Sequence, residues 1–324
     1  MKRHPNNPIL TRQDIPPITP ELVDVTSVFN PGAVHWQGED RLLLRVQTRG
    51  RETRLLWADR MDGSNEKWNV RPQLVSLRGI ERLPVRAYHV YDPRLTVLEG
   101  NLYGVFAVDT DVGCRLAIGI CRDGHHFELI SFDPDGDRRN GVLFPERVGG
   151  RFLRLQRPNA QTLAGGPRSG SQIELVESDD LVTWRVVGPV MDGRWRYWDE
   201  LIGSGPPPIR THAGWLHLYH GVATHFASVN IYQVGAVLLD DSNPARVIAR
   251  SRLNLLEPRE PYELTGQVPN VVFPGGMLVD SCDASGVATP YSVLRVYYGA
   301  ADTCVGMAMT SVKELLDACE PVTS

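Results

Sequence analysis

The segment Gly214-Trp-Leu-His-Leu-Tyr-His220 opens on a glycine, partly alternates apolar with polar side chains, and closes on a polar ring. A short run of this kind, bounded by turn residues, reads as a β-strand with one buried face. Four other stretches share the plan: Asp40–Gln47, Asn101–Asp109, Gly150–Arg157 and Ser292–Tyr298. Between most of them lies an acidic turn followed by an aromatic, at Asp62–Trp68, Asp123–Phe127 and Asp180–Trp184, with Asp240–Asp241 as a weaker copy. The turns recur at intervals of roughly 60 residues, the spacing of a repeat architecture. About five four-stranded units predict an all-β, five-bladed β-propeller. Matched strands of a radial fold end at one axis, so the polar residues closing them are expected to converge on one pocket. A pair of all-β sandwiches is the competing architecture.

Residues 1–28 read as an extended N-terminal lead-in, because Pro5, Pro8, Pro16, Pro17 and Pro20 deny it a helix. Residues 29–324 read as a single propeller catalytic domain. The 30 glycines and 24 prolines suit many tight turns. One short C-terminal helix is expected over Ser311–Cys319, with Ser311 as N-cap and Glu314 three residues on.

Net charge is −4 with no basic block, which excludes a nucleic-acid partner. No apolar run approaches the roughly 18 residues of a membrane span, and Met1–Leu10 has no apolar leader core. The five cysteines are odd in number and none forms Cys-x-x-Cys, so reduced thiols and a cytoplasmic location are expected. Gly165-Gly-Pro-Arg-Ser-Gly170 lacks the Gly-Lys-Ser/Thr ending of a P-loop and reads as a surface loop. His217 and His220, three apart on a strand, face opposite sides and have no third ligand, so no metal is expected. No Gly-x-Ser-x-Gly elbow is present.

Nine segments carry a family resemblance: Val28-Phe-Asn-Pro-Gly-Ala33, Leu42-Leu-Leu-Arg-Val46, Tyr91-Asp-Pro-Arg94, Leu143-Phe-Pro-Glu146, Gln156-Arg-Pro158, Ile202-Gly-Ser-Gly-Pro-Pro-Pro208, Leu218-Tyr-His-Gly-Val222, Pro269-Asn-Val-Val-Phe-Pro274 and Tyr298-Gly-Ala-Ala-Asp302. In this order they resemble glycoside hydrolase family 130, five-bladed propellers that act on β-mannosides. The resemblance implies an inverting glycoside phosphorylase that cleaves a β-mannosidic bond with inorganic phosphate and releases α-mannose 1-phosphate. It implies no cofactor beyond phosphate as co-substrate and a β-manno-oligosaccharide or mannosyl disaccharide as partner; family members are often oligomeric, which leaves a homo-oligomer open. A β-mannosidase using water and a non-catalytic carbohydrate-binding propeller are the alternatives.

Breaking a glycosidic bond needs a proton for the leaving oxygen and a nucleophile on the opposite face. Asp92 matches the family's single catalytic acid, which is thought to pass its proton through a sugar hydroxyl. Pro93 biases Asp92 towards an extended backbone. Phosphate arrives already charged and needs cations to hold it, a task suited to the planar fork of arginine. Arg139, Arg157 and His220 fall where the family's phosphorylases place phosphate ligands. Arg157 and His220 also close two of the repeated strands. The competing readings are a structural ion pair for Arg157 and a backbone-bonded core histidine for His220.

Asn30, Arg45 and Asp302 match positions that grip the mannose, and Tyr91 and Phe273 match aromatics lining the acceptor side. Tyr298 closes the fifth repeated strand and is a further candidate for the channel. Trp195 and Trp198 are candidates for a lid or a dimer contact. One departure from the family pattern is Leu201, where a lysine is common; Arg138 or Arg210 could replace that cation. Asn140 stands where an aspartate is common, which should favour an anion. A hydrolase would instead need a carboxylate base, for which Glu146, Asp199 and Glu200 are nearest in sequence.

Overall fold

The strand expected at 214–220 runs from Gly214 to Ala223, the second strand in one of five antiparallel sheets. The computed structural model describes residues 1–61, 67–159, 170–224 and 229–322. Asp62 and most of the glycine-rich stretch from Gly165 lie outside the described residues. Blade 1 holds Gly32–Trp36, Glu39–Gln47, Thr53–Arg60 and Trp68–Val75. Blade 2 holds Ala87–Leu98, Asn101–Thr110, Gly113–Cys121 and Phe127–Phe132. Blade 3 holds Arg138–Leu143, Phe152–Pro158, Gln172–Ser178 and Arg185–Asp192. Blade 4 starts with Leu201–Ser204 and Ile209–Thr211, then Gly214–Ala223, Ile231–Leu239 and Val247–Ser251. Blade 5 holds Val272–Val279, Val293–Ala300 and Cys304–Ser311. All five forecast strands are second strands of their blades.

The acidic turns are the hairpins joining third to fourth strands. In the three that lie within the described residues, an aspartate oxygen accepts from the backbone N–H groups two and three residues on. Asp123 does so from His125 and His126, Asp180 from Val182 and Thr183, and Asp240 from Ser242 and Asn243, all at 2.8–3.0 Å. The aspartate thus replaces backbone acceptors that the reversal removes. Blade 5 has no such hairpin because its fourth strand is Lys2–Arg3, paired with Ala308 and Met309. Ring closure by the N-terminus therefore explains four copies of the turn in a five-bladed molecule.

That closure is pinned by Arg3, whose Nε and Nη2 donate to the Glu263 carboxylate at 2.8 and 2.7 Å. Tyr298 donates to the same carboxylate at 2.8 Å and accepts from Asn7 at 3.1 Å. Tyr298 is fully buried here and does not face the channel, contrary to expectation. Strand parity is the reason: Leu294, Val296, Tyr298 and Ala300 all pack towards blade 4, whereas Tyr297 packs towards blade 1.

The core is divided into apolar layers between successive blades. Leu42, Leu44 and Val46 join the layer against blade 5, and Leu43 the layer against blade 2. Leu153 and Leu155 of blade 3 pack towards blade 4, and Leu216 and Leu218 of blade 4 towards blade 5. The C-terminal helix spans Val312–Asp317, capped by Ser311 and Glu314 as expected. Cys319–Pro321 then adds an edge strand to blade 4. No helix among the described residues is long and apolar enough to cross a membrane.

Candidate active site

Parity also aims the polar strand ends. Arg45 follows Leu43 by two and so points to blade 2, where its Nη1 meets Asp92 Oδ1 at 2.8 Å. Arg157 follows Leu155 by two and points to blade 4, where its Nη1 lies 3.5 Å from His220 Nε2. His220 follows Leu218 by two and faces blade 5, its ring centroid 4.5 Å from Phe273. Blades 1, 3 and 4 thus each hand a polar group to the next one.

The innermost strands contribute through bulges. Register breaks between Tyr91 and Arg94, between Arg139 and Val142, and between Pro274 and Gly276. A bulge re-aims a side chain out of the pleat. Asp92 has φ +50° and Asn140 φ +52°, and Asp302 after the fifth second strand has φ +51°. The extended backbone expected for Asp92 is therefore wrong: the bulge overrides the bias imposed by Pro93. Such backbone is tolerated by Asp and Asn better than by most residues and gathers at functional sites.

On the acid side, the Arg45 guanidinium lies between Phe29 and Tyr91, 4.2 and 4.8 Å from their ring centroids. Burial works against the charge of Asp92, but Arg45 and Arg94 outweigh it and hold the carboxyl below its usual range. Asn30 sits beside this carboxyl, and its buried side-chain amide also favours the charged form. Asp302 behaves differently. Burial, opposed by Arg45 and reinforced by Asp92, lifts its pKa to about 6. Tyr91 is less open than an acceptor-lining aromatic: its hydroxyl donates to Asp109 at 2.8 Å and its ring is a platform for Arg45.

On the opposite wall, Arg139 and Arg157 stand directly across from each other on neighbouring antiparallel strands. Like charges so placed are destabilising. Burial and Arg139 together lower the pKa of Arg157. Burial, with Arg157 and Arg94 adding, pushes His220 far below its usual value, so the imidazole is neutral. Arg139 Nε, Arg157 Nε and His220 Nδ1 are buried with no hydrogen-bond partner among the described residues. Gly203 makes room for this wall, since a Cβ there would fall 2.4 Å from His220 Cε1 and 2.6 Å from Asn140 Oδ1.

The remaining charged candidates are engaged elsewhere. Asp199 is held by Arg194, Arg250 and the Tyr219 hydroxyl, Glu146 by Arg210, and Glu200 by Thr224. Arg138 is held by Asp135 and Glu174, and Arg210 also by Asp241, so neither replaces the cation missing at Leu201. Trp198 stacks on Tyr219 and donates to the Arg252 carbonyl, whereas Trp195 is exposed. No group of three or more His, Cys, Asp or Glu among the described residues could hold a metal ion.

The family model described as beta-1,4-mannooligosaccharide phosphorylase matches residues 1–321. The chain belongs to glycoside hydrolase family 130. It is 31% identical to a beta-1,4-mannooligosaccharide phosphorylase of Ruminococcus albus, over 95% of this chain and 90% of that one. It is 30% identical to a 1,2-beta-oligomannan phosphorylase of Thermoanaerobacter, over 89% and 91%. In three dimensions it superposes on a beta-1,2-mannobiose phosphorylase from Listeria innocua with TM-score 0.80 at 24% identity, covering 98% of both chains. A structure reported with family 130 hydrolases that target beta-1,2 mannosidic linkages matches with TM-score 0.77 at 21% identity. The propeller fold is therefore shared with both of these structures.

Contacts and charge interactions link all nine expected residues into one cluster. Sequence reading missed three neighbours. Phe29 supports Arg45, Arg94 lies between the two walls, and Tyr232 lies 6.1 Å from His220 and 6.2 Å from Phe273 by ring centroids. Arg94 closes the Tyr-Asp-Pro-Arg motif, which was the available signal. Tyr232 lies on a third strand, where the repeat argument made no forecast.

The lifted pKa of Asp302 has a testable sign. Its folded value, about 6, exceeds the ordinary 3.8. The folded state therefore holds this proton more tightly, and the associated stability is lost as pH rises through 6. Asp302→Asn should melt higher than the wild type at pH 7.5, with the gap shrinking towards pH 4, and should bind sugar more weakly. Melting curves at the two pH values check this; an equal gap at both would contradict it.

Proposed function

We propose that this protein is an inverting β-mannoside phosphorylase. A phosphate oxygen attacks the anomeric carbon from the face opposite the leaving oxygen, and the C1–O bond breaks. Asp92 supplies the proton taken by the leaving oxygen. The products are α-mannose 1-phosphate and the shortened acceptor. Arg139, Arg157 and His220 hold phosphate, and Asn30, Arg45 and Asp302 hold the mannose, with Phe273 beside them. The observation that carries this reading is the pair of facing arginines with buried donors and no carboxylate acceptor among the described residues. A hydrolytic site needs a carboxylate to activate water, and the nearby Glu146, Asp199 and Glu200 are bonded elsewhere. Five free thiols suit a reducing cytoplasm.

The free-state charge of Asp92 fits an ordered event. A dianion entering the nest offsets the cations that hold the carboxyl ionised, so proton uptake follows phosphate binding. The deciding assay incubates the protein with β-1,4- and β-1,2-mannobiose, with and without phosphate. Sugar phosphate should form only where phosphate is present. Free mannose released at equal rates in both tubes would establish the hydrolase instead, and no product in either would leave a binding protein.

A further inference from the structure

Arg94 follows Asp92 by two residues and is 1% exposed. Its Nε donates to the Gly205 carbonyl of blade 4 at 2.8 Å, and its Nη2 is buried without a partner. Its guanidinium carbon lies 5.4 Å from the ring centroid of Phe273 on blade 5, the ring that rests on His220. Gly205 is two residues beyond Gly203, whose missing side chain admits His220. One side chain from the proton-donor strand thus reaches the segment that backs the opposite wall. A fully buried cation is costly to keep, and its burial lowers its own pKa to about 10.

We propose that Arg94 is a positioning residue that ties the proton donor on blade 2 to the anion wall on blade 4 and fixes their separation across the channel. This rests on the phosphorylase reading. The Nε–H bond to the Gly205 carbonyl sets geometry, and the charge acts on Asp92. Asp92 is faced by Arg45 from blade 1, Asn30 from the segment before it, Tyr91 and Arg94 from its own strand, and Asp302 from blade 5. Arg157 of blade 3 and Tyr232 of blade 4 also sense its charge. His217 and His220 sense Arg94 but are held neutral by burial. Removing Arg94's charge leaves Arg45 as the close cation, so Asp92 should keep its proton to higher pH.

Two variants of the full chain separate charge from geometry. Arg94→Gln retains an amide donor for Gly205 but loses the charge. The basic limb of its kcat profile, which reports the phosphate-bound complex in which Asp92 carries its proton, should move up by about one pH unit, within the range a neighbouring charge commands. Arg94→Lys retains the charge but loses the Nε–H donor to Gly205. Its basic limb should stay in place while the phosphate KM rises roughly fivefold or more, since a lysine has no donor at that place along a planar guanidinium. A purely structural role would lower activity without moving the limb. An unmoved limb in a folded Gln variant, or an unchanged phosphate KM in the Lys variant, overturns the proposal. If the Gln variant does not fold, the Lys variant decides alone. Loss of phosphate dependence in the wild type would instead remove the underlying phosphorylase reading, before any variant is compared.

Discussion

Asp92→Asn should lose about 10²- to 10⁴-fold in kcat on natural mannosides, the range general-acid catalysis supplies. Binding should survive, because asparagine tolerates φ +50° and its Oδ1 still accepts from Arg45. The loss should be much smaller on an aryl mannoside whose leaving group needs no proton. Steady-state rates on the two substrate types check both parts. A natural substrate turned over at near wild-type rate would remove Asp92 from the chemistry. An equal loss on both substrates would make Asp92 a binding group and leave the proton without a source.

Arg157→Ala should raise the phosphate KM ten- to a hundredfold, since hydrogen bonds to a charged group contribute roughly 1.5–3 kcal/mol each. The same change removes one of two like charges facing each other across a strand pair. Without phosphate the variant should therefore melt no lower than the wild type, and it should gain less on adding phosphate. Ligand stabilisation follows occupancy, about 2.7 kcal/mol at a hundredfold excess over Kd, so a melting shift reads the site directly. Wild-type phosphate KM would mean the arginine is structural. A large fall in melting temperature without phosphate would point the same way, because the repulsion argument would then be wrong.

Much of this architecture was legible before any coordinates. Alternation at 214–220 and the Asp-turn spacing reported the blade and its repeat, because both depend on contacts within one hairpin. Parity carried further than expected. Given Leu43 and Leu155 as inward-packing residues, the aim of Arg45 and Arg157 follows from two-residue periodicity alone. The same parity turned Tyr298 away from the channel, an outcome that needed knowledge of which apolar layer its neighbours joined.

Bulges defeated the local reading at Asp92. The rule for a residue before proline concerns steric bias within a dipeptide. Pairing with Asn101–Thr110 and the Arg45 contact concern partners far away in sequence, and they prevail. Tyr232 was invisible for a related reason: a third-strand tyrosine has no local pattern that separates it from core, whereas Arg94 carried a signal in its motif but none for its burial.

The chain itself, then, determined the strands, the repeat, the capped C-terminal helix and the residue types that could move a proton and hold an anion. Those follow from periodicity, turn chemistry and side-chain character within short windows. Only the closed ring decided which of them meet. It made Lys2–Arg3 the last strand of blade 5, brought Arg139 and Arg157 face to face without a carboxylate partner among the described residues, and occupied Glu146, Asp199 and Glu200 with other partners. Whether a cation stays unpaired depends on every blade at once, so that property emerges only when the circle shuts.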